Sequence, residues 1–186
     1  LSILQGQLEN TIQHAPAGSE MQQTAAMLLE EVQRLKAIVR KLLLLAKADS
    51  GKLPLQSKPA ELSDVVAEMV EDCRAMAPQL EFEWASVGPG TVHADLPLLH
   101  QAIQNLLDNA VKYNREGGRV EVGVHSRSTD DGSGPRGILR GEYVVLRVGN
   151  TGHSIPEASA QKVFERFYRL DPAHSRVIDG TGLGLS

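Results

Sequence analysis

One cysteine in 186 residues, Cys73, leaves no second thiol in the chain for it to pair with. An intrachain disulfide is excluded, and so is a zinc site built on several thiolates, a usage that fits a reducing compartment. Cys73 itself reads as a small buried apolar residue. Long apolar runs are also missing. None is longer than LLLLA at 42–46, which falls far short of the roughly 20 residues that a bilayer-spanning helix needs. Nor does the N-terminus show the basic, apolar and small-residue pattern of a signal peptide, so no membrane contact is expected of this segment. Positive charge is neither in excess nor clustered: the net charge is −4, and dispersed Lys and Arg give no footprint for nucleic acid. The histidines, His14, His93, His100, His125, His153 and His174, are scattered without metal-ligand spacing. What remains is 41% hydrophobic, enough for one ordinary domain with a real core plus a smaller element.

The smaller element comes first. Leu1, Leu4, Leu8 and Ile12 share one side of a short helix that has no N-cap residue before it and reads as cut. Pro16 and Gly18 break the chain, and Ser19 with Gln22 forms a capping box for a second helix from Glu20. Met21, Ala25, Leu28, Val32, Leu35, Val39, Leu42 and Ala46 then keep a heptad seam that Leu29, Ile38, Leu43 and Leu45 widen. A stripe that wide asks for more than one neighbouring helix, so the hairpin is expected to be half of a dimeric four-helix bundle. Gly51 stands where a C-cap glycine would, and Pro54 stops continuation. The boundary falls near 51–58, dividing residues 1–53 from 54–186.

The second part mixes elements. Leu62, Val65, Val66, Met69, Val70 and Cys73 define a helix ending before Pro78, and Leu80, Phe82 and Trp84 alternate as a strand. Gly88-Pro89-Gly90 turns the chain into a brief strand at Val92, and Asp95 caps the next helix with Pro97 in its first turn. That helix, 98–113, has an apolar stripe of Leu99, Ile103, Leu106, Leu107 and Ala110. Beyond the Gly117-Gly118 turn, Val120, Val122 and Val124 alternate as a strand, 126–141 reads as a long polar loop, and 142–148 returns as a strand. The order predicts an α+β chain: a helical hairpin followed by an α/β sandwich with helices on one face of a mixed sheet.

Asn105 and Asn109 stand one helical turn apart beside the apolar stripe. A buried amide costs free energy unless it is hydrogen-bonded, so the pair reads either as a solvated helix edge or as a ligand site. Three further segments follow: GNTGHSIP at 149–156, VFERFYRLDP at 163–172 and GTGLGLS at 180–186. The last matches neither the dinucleotide fingerprint nor the P-loop, yet its glycines let backbone amides approach a phosphate. In this order, the four segments resemble the N, G1, F and G2 boxes of the sensor histidine kinases, members of the GHKL ATPase superfamily. Asn150 and the FYRLDP run are similar to those of the heavy-metal-sensor subgroup.

The resemblance implies an ATP-binding kinase core, with residues 1–53 as a partial dimerisation and histidine-phosphotransfer hairpin and 54–186 as the catalytic domain, lacking its C-terminal end. It puts Asn109, with Asn105, on a Mg²⁺ ion bridging the ATP phosphates, where a metal that takes oxygen ligands needs few from protein. It puts Lys112 near the phosphates, Tyr113 beside the nucleotide, and Asn150, Gly152 and Ile155 in the G1 box. Phe164 and Phe167 become anchors of a lid over 170–179, against the plainer reading of core packing, and Arg169 becomes the catalytic guanidinium at the γ-phosphate. Gly180, Thr181, Gly182, Leu183, Gly184 and Leu185 approach the phosphates, and His153 and His174 lie near the nucleotide.

Two positions depart from the family: Asn150 replaces the usual aspartate, and Ser154 a later glycine. An asparagine still accepts a hydrogen bond from the adenine amino group but can also donate, so this domain is expected to reject GTP less sharply than an Asn150→Asp variant. The family's phosphoacceptor histidine belongs to a box that would precede Leu1. His14, in the hairpin bend and without an acidic neighbour, is no substitute, so this segment alone is not expected to autophosphorylate. The implied partners are a second copy through the hairpin and the receiver domain of a response regulator. The parent protein is expected to be membrane-anchored, with this part cytoplasmic. The competing readings are a non-catalytic nucleotide-binding dimeric scaffold and another GHKL ATPase.

Overall fold

The computed structural model describes residues 1–88, 90–129, 141–170 and 182–185. Two compact units divide the chain, Leu1–Pro54 and Leu55–Ser186.

The first unit is a helical hairpin of α1 (Ser2–His14) and α2 (Glu20–Asp49). Ser19 caps α2, its Oγ accepting the Gln22 N–H at 3.2 Å. The return arm differs from a capping box: Gln22 Oε1 accepts from the Gly18 N–H at 2.8 Å, and its Nε2 donates to the Ile12 carbonyl at 3.2 Å. One side chain thus ties the bend to both helices. At the other end Gly51, at φ 65°, donates to the Ala48 carbonyl while Lys52 donates to that of Lys47. This is a Schellman stop, and its left-handed residue is the glycine. Ala25 is the buried residue of α2, whereas Leu28, Leu35, Val39 and Leu43 of the apolar seam and its flank stay exposed.

The second unit begins with β1 (Lys58–Glu61), a strand that the sequence reading did not contain, followed by α3 (Leu62–Met76), β2 (Glu81–Val87), β3 (Thr91–Ala94), α4 (Leu96–Lys112), β4 (Arg119–Thr129) and β5 (Gly141–Asn150). Short 3₁₀ turns at Glu157–Ser159 and Lys162–Phe164 follow. Among the described residues the strands form two sheets rather than one: β1 pairs antiparallel with β3, and the order β2-β4-β5 makes a mixed sheet, β2 parallel and β5 antiparallel to β4. The polar stretch expected as a loop is partly ladder, since Ser126 faces Val144 and Arg127 faces Tyr143. Ser126, Arg127 and Ser128 are exposed and carry no apolar alternation. Their pairing is a backbone property, which a side-chain pattern does not announce. The remainder of that expected loop, 130–140, lies outside the described residues.

Val120, Val122 and Val124 put one face of β4 against the helices. The fully buried side chains are Val66 and Val70 of α3, Ile103 and Leu107 of α4, and Val120 and Val124. Cys73 lies in this core, as its sequence suggested, and burial, followed by the charges of Asp108 and Asp72, pushes its thiol pKa upward.

A polar clasp closes the β1–α3 corner. Glu61 Oε1 accepts from Ser63 Oγ at 2.7 Å and the Gly90 N–H at 2.6 Å, and Oε2 accepts from Thr91 Oγ1 at 2.9 Å. These bonds, that from Ser63 foremost, hold the Glu61 carboxyl below its ordinary pKa. A carboxylate with a depressed folded-state pKa contributes stability above its unfolded-state value, and that contribution is lost as pH falls through the folded value. Glu61→Gln is therefore expected to melt below wild type at pH 7, with the gap closing in acid. Thermal scans from pH 7 to pH 3 check this, and a constant gap across the series would refute it.

Candidate functional site

Helix α4 carries the first wall. Asp95 starts it, Oδ1 accepting the Leu98 N–H at 3.3 Å while Oδ2 accepts that of Gln56 at 2.9 Å. Pro97 sits in the first turn, where its missing N–H leaves no acceptor unsatisfied. Ile103, Leu107 and Ala110 are buried, which leaves Asn105 and Asn109 half-buried on the flank of the stripe. Gly184 approaches this flank: a Cβ built on it would lie 3.8 Å from Asn105 Oδ1. The buried Leu183 beside it secures the approach. The Asn109 amide has no hydrogen-bond partner among the described residues.

The end of α4 forms the second wall. Lys112 is half-buried, with Nζ 5.3 Å from the centroid of the Tyr113 ring, a cation–π contact. The Tyr113 carbonyl accepts from Asn150 Nδ2 at 3.3 Å. Gly152 packs onto the same carbonyl so tightly that a Cβ there would overlap its oxygen. Between them Thr151 is tied on both sides. Its N–H donates to the Arg119 carbonyl at 3.1 Å, its Oγ1 accepts from the Arg119 N–H at 2.8 Å, and the same hydroxyl donates to Asn114 Oδ1 at 3.0 Å. Asn114 Nδ2 donates in turn to the Arg119 carbonyl at 3.0 Å. Sequence reasoning missed Asn114 and Thr151. The available signal was their position, one just after the helix and the other between two motif residues.

A third contact joins the F and G2 segments. The Phe167 N–H donates to the Gly182 carbonyl at 2.8 Å, and both residues are left-handed, at φ 63° and φ 67°. A Cβ on Gly182 would come within 2.7 Å of the Phe167 carbonyl carbon. Only glycine fits there. Phe164 and Phe167 are 62% and 60% exposed, so neither is a core residue. Ile155 is exposed as well, as is His153, while Arg169 is half-buried at the end of the described F segment.

The expected site residues therefore meet pairwise: Asn105 with Gly184, Tyr113 with Asn150 and Gly152, Phe167 with Gly182. No hydrogen bond brings Ile155 or the side chains of Phe164 and Phe167 to the asparagines among the described residues. Gly180, Thr181, His174 and all of the expected 170–179 lid after Leu170 lie outside the described residues. The donor set suits Mg²⁺, because two half-buried amides offer neutral oxygens and leave room for phosphate oxygens and water.

Residues 94–186 match the family described as histidine kinase-, DNA gyrase B-, and HSP90-like ATPase. The probable sensor histidine kinase TcrY of Mycobacterium tuberculosis (strain ATCC 25618 / H37Rv) is 32% identical over 189 residues, covering 100% of this chain and 36% of that protein. The chain spans about a third of the length of such curated relatives. Among solved structures, the mycobacterial sensor histidine kinase MprB aligns at TM-score 0.52 and 32% identity over 69% of this chain and 73% of that one. Full-length ShkA in complex with AMPPNP aligns at TM-score 0.72 over 99% of this chain and 36% of that one, where 23% identity speaks for the fold alone.

Proposed function

The chain belongs to the sensor histidine kinases, within the histidine kinase-, DNA gyrase B- and HSP90-like ATPases, and from that premise we propose that it binds Mg-ATP and donates the γ-phosphoryl group to a histidine. The observation that carries this reading is the half-buried asparagine flank of α4, met by the backbone of Gly184. Asn109 and Asn105 would hold the metal, which when bound neutralises charge on the phosphates. Lys112 and the backbone amides of 182–185 would hold phosphate oxygens. Asn150 would receive the adenine, with Phe164 and Phe167 covering the nucleotide. Arg169 would stabilise the charge on the γ-phosphoryl group as a nitrogen–phosphorus bond to histidine forms and the bond to the ADP oxygen breaks.

None of the six histidines of this chain is the proposed acceptor. His14 is spent on its own helix, Nδ1 lying 2.8 Å from the Asn10 carbonyl, and it is flanked by Gln13 and Ala15 rather than by an acid. Incubated alone with Mg-ATP, this chain is expected to yield no stoichiometric phosphohistidine, and acid-labile, base-stable labelling of it would contradict that. The exposed apolar seam of α2 is the proposed contact with a second copy. A receiver-domain aspartate is the proposed next acceptor, and the longer protein is proposed to be anchored at the cell membrane with this part in the cytoplasm.

The test is calorimetric titration of AMPPNP, with Mg²⁺ and with EDTA, into the chain and its Asn109→Ala variant. Wild type is expected to bind in a Mg²⁺-dependent manner, and the variant to lose about tenfold or more in Mg²⁺-dependent affinity, the scale for a lost bond to a charged partner. Binding by the variant that equals wild type with metal present would remove Asn109 from the site.

A further inference from the structure

The order β2-β4-β5 leaves β2 at one border of the mixed sheet, with no strand paired to its other side among the described residues. Successive residues of a strand turn their main-chain groups to opposite sides. The Glu81 N–H donates to the Gly118 carbonyl at 2.9 Å, so Glu81, Glu83, Ala85 and Val87 face β4, and Phe82, Trp84 and Ser86 direct their N–H and C=O groups to the open border. Such a border is a template for another strand. Lys, Pro or a bulge commonly blunts it, yet EFEWASV at 81–87 has no Lys and no Pro and pairs with β4 in unbroken register. Its two glutamates are engaged by Arg119, at 3.2 and 2.8 Å.

The charge at this border arrives from α3. Arg74, in the last turn of that helix, donates through Nη2 to the Phe82 carbonyl at 3.1 Å, while Glu71 Oε1 holds its Nη1 at 2.9 Å. The guanidinium therefore stands where a further strand would lie. The Arg74 and Glu71 side chains are 46% and 65% exposed, and a pair so exposed adds little to stability. What it does at this place is exclude.

We propose that the free edge of β2 is a self-complementary surface for the β2 of a second copy, and that Arg74 guards it by occupying the Phe82 carbonyl. The occupant follows from the strand itself. Laid antiparallel about a two-fold axis at Trp84, Trp84 meets Trp84, Phe82 meets Ser86, Glu83 meets Ala85 and Glu81 meets Val87. The border-facing residues then exchange bonds, and no glutamate stands directly opposite a glutamate. In that register the Phe82 carbonyl would accept from the Ser86 N–H of the second copy, and it is this carbonyl that Arg74 holds. The surface is separate from the apolar seam of α2 and independent of the nucleotide reading.

The test compares the full chain with its Arg74→Ala variant and with the double variant Arg74→Ala, Ser86→Pro. Proline removes the Ser86 N–H that the pairing needs and takes nothing from the ladder with β4, which that N–H does not face. Sedimentation over a concentration series reads association, and amide exchange followed by NMR reads Trp84 and Ser86. Arg74→Ala is expected to form larger species than wild type, with an affinity for the added step at least about tenfold higher, the scale of one or two restored hydrogen bonds. Exchange at the Trp84 and Ser86 amides of Arg74→Ala should slow as concentration rises, and the double variant should return to the wild-type sedimentation profile. Pairing through the hairpin does not engage these two amides, so the contacts are told apart. Unchanged sedimentation with concentration-independent exchange in Arg74→Ala overturns the proposal, as does added association that survives Ser86→Pro. Should Arg74→Ala melt well below wild type, Arg74→Met, which keeps an unbranched stem and has no donor, decides by the same readings.

Discussion

Replacing Gly152 with alanine is expected to lower nucleotide affinity by about a hundredfold and to destabilise the second unit by roughly 1–3 kcal/mol, the scale of an overpacked interior. Gly152 does not have a positive φ, so the cost is not one of backbone conformation. It is collision: the new Cβ would overlap the Tyr113 carbonyl oxygen, a backbone atom that no rotamer change can move aside. Relief requires the end of α4 and the turn after β5 to separate, which breaks the Asn150–Tyr113 bond and strains the Thr151–Asn114 bond. The proposed base contact at Asn150 leaves its place with them. The matched control is Gly149→Ala, three residues earlier in the same segment, where a Cβ would meet only ordinary contacts with Glu121 at 3.9 and 4.0 Å. Thermal melting and AMPPNP titration of the two variants separate the cases. Gly152→Ala binding within threefold of wild type would show that this close approach does not shape the site.

A different collision governs Gly182. Its φ of 67° and the 2.7 Å approach of a Cβ to the Phe167 backbone act together. Gly182→Ala is accordingly expected to separate the F and G2 segments and weaken AMPPNP binding by about tenfold or more, while the melting temperature moves less than in Gly152→Ala, since Phe167 is exposed and outside the core. Equal losses of melting temperature in both variants would count against that ordering.

How far the sequence could foretell this arrangement depended on where each signal resides. Helix α4 was legible because its information is local: a capping aspartate, a proline in the first turn and an apolar stripe at helical spacing all lie within the segment. The Val120–Val124 alternation was legible for the same reason. β1 was not, because Lys-Pro-Ala-Glu has no apolar alternation and becomes a strand only by pairing with β3, some thirty residues later. Ser126–Ser128 likewise reads as loop until the ladder with β5 is seen. At the candidate site, the order of the motifs announced which residues to watch. Contacts between motifs stayed hidden, because a carbonyl such as that of Tyr113 has no signature in a string of side chains. The orientation of the Asn150 amide is of that kind: its residue type leaves donor and acceptor equivalent, and only a backbone oxygen from another element tells them apart.

Helix α4 has two jobs on two faces, and the larger stability effect should come from the face away from the site. Leu107 is 0% exposed and sits among Ile103, Val66, Val70, Val120 and Val124. Leu107→Ala removes buried carbons from a region where both helices and the central strand contribute, leaving little freedom for collapse, so a loss of about 2–5 kcal/mol is expected. Against the roughly 5–15 kcal/mol that holds a typical domain, that is a large fraction. Asn109, two residues on, is half-buried and without a partner among the described residues, so its replacement by alanine should leave the denaturation midpoint nearly unchanged. Chemical denaturation of the pair, read from Trp84 fluorescence, therefore predicts a split: a large midpoint shift for Leu107→Ala and almost none for Asn109→Ala, with nucleotide affinity ordered the other way when measured where both proteins are folded. Such a split means that one face of the helix sets stability and the adjoining face sets binding. A midpoint shift in Asn109→Ala comparable with that of Leu107→Ala would place Asn109 in the core, and its amide would then be a packing group and not a ligand.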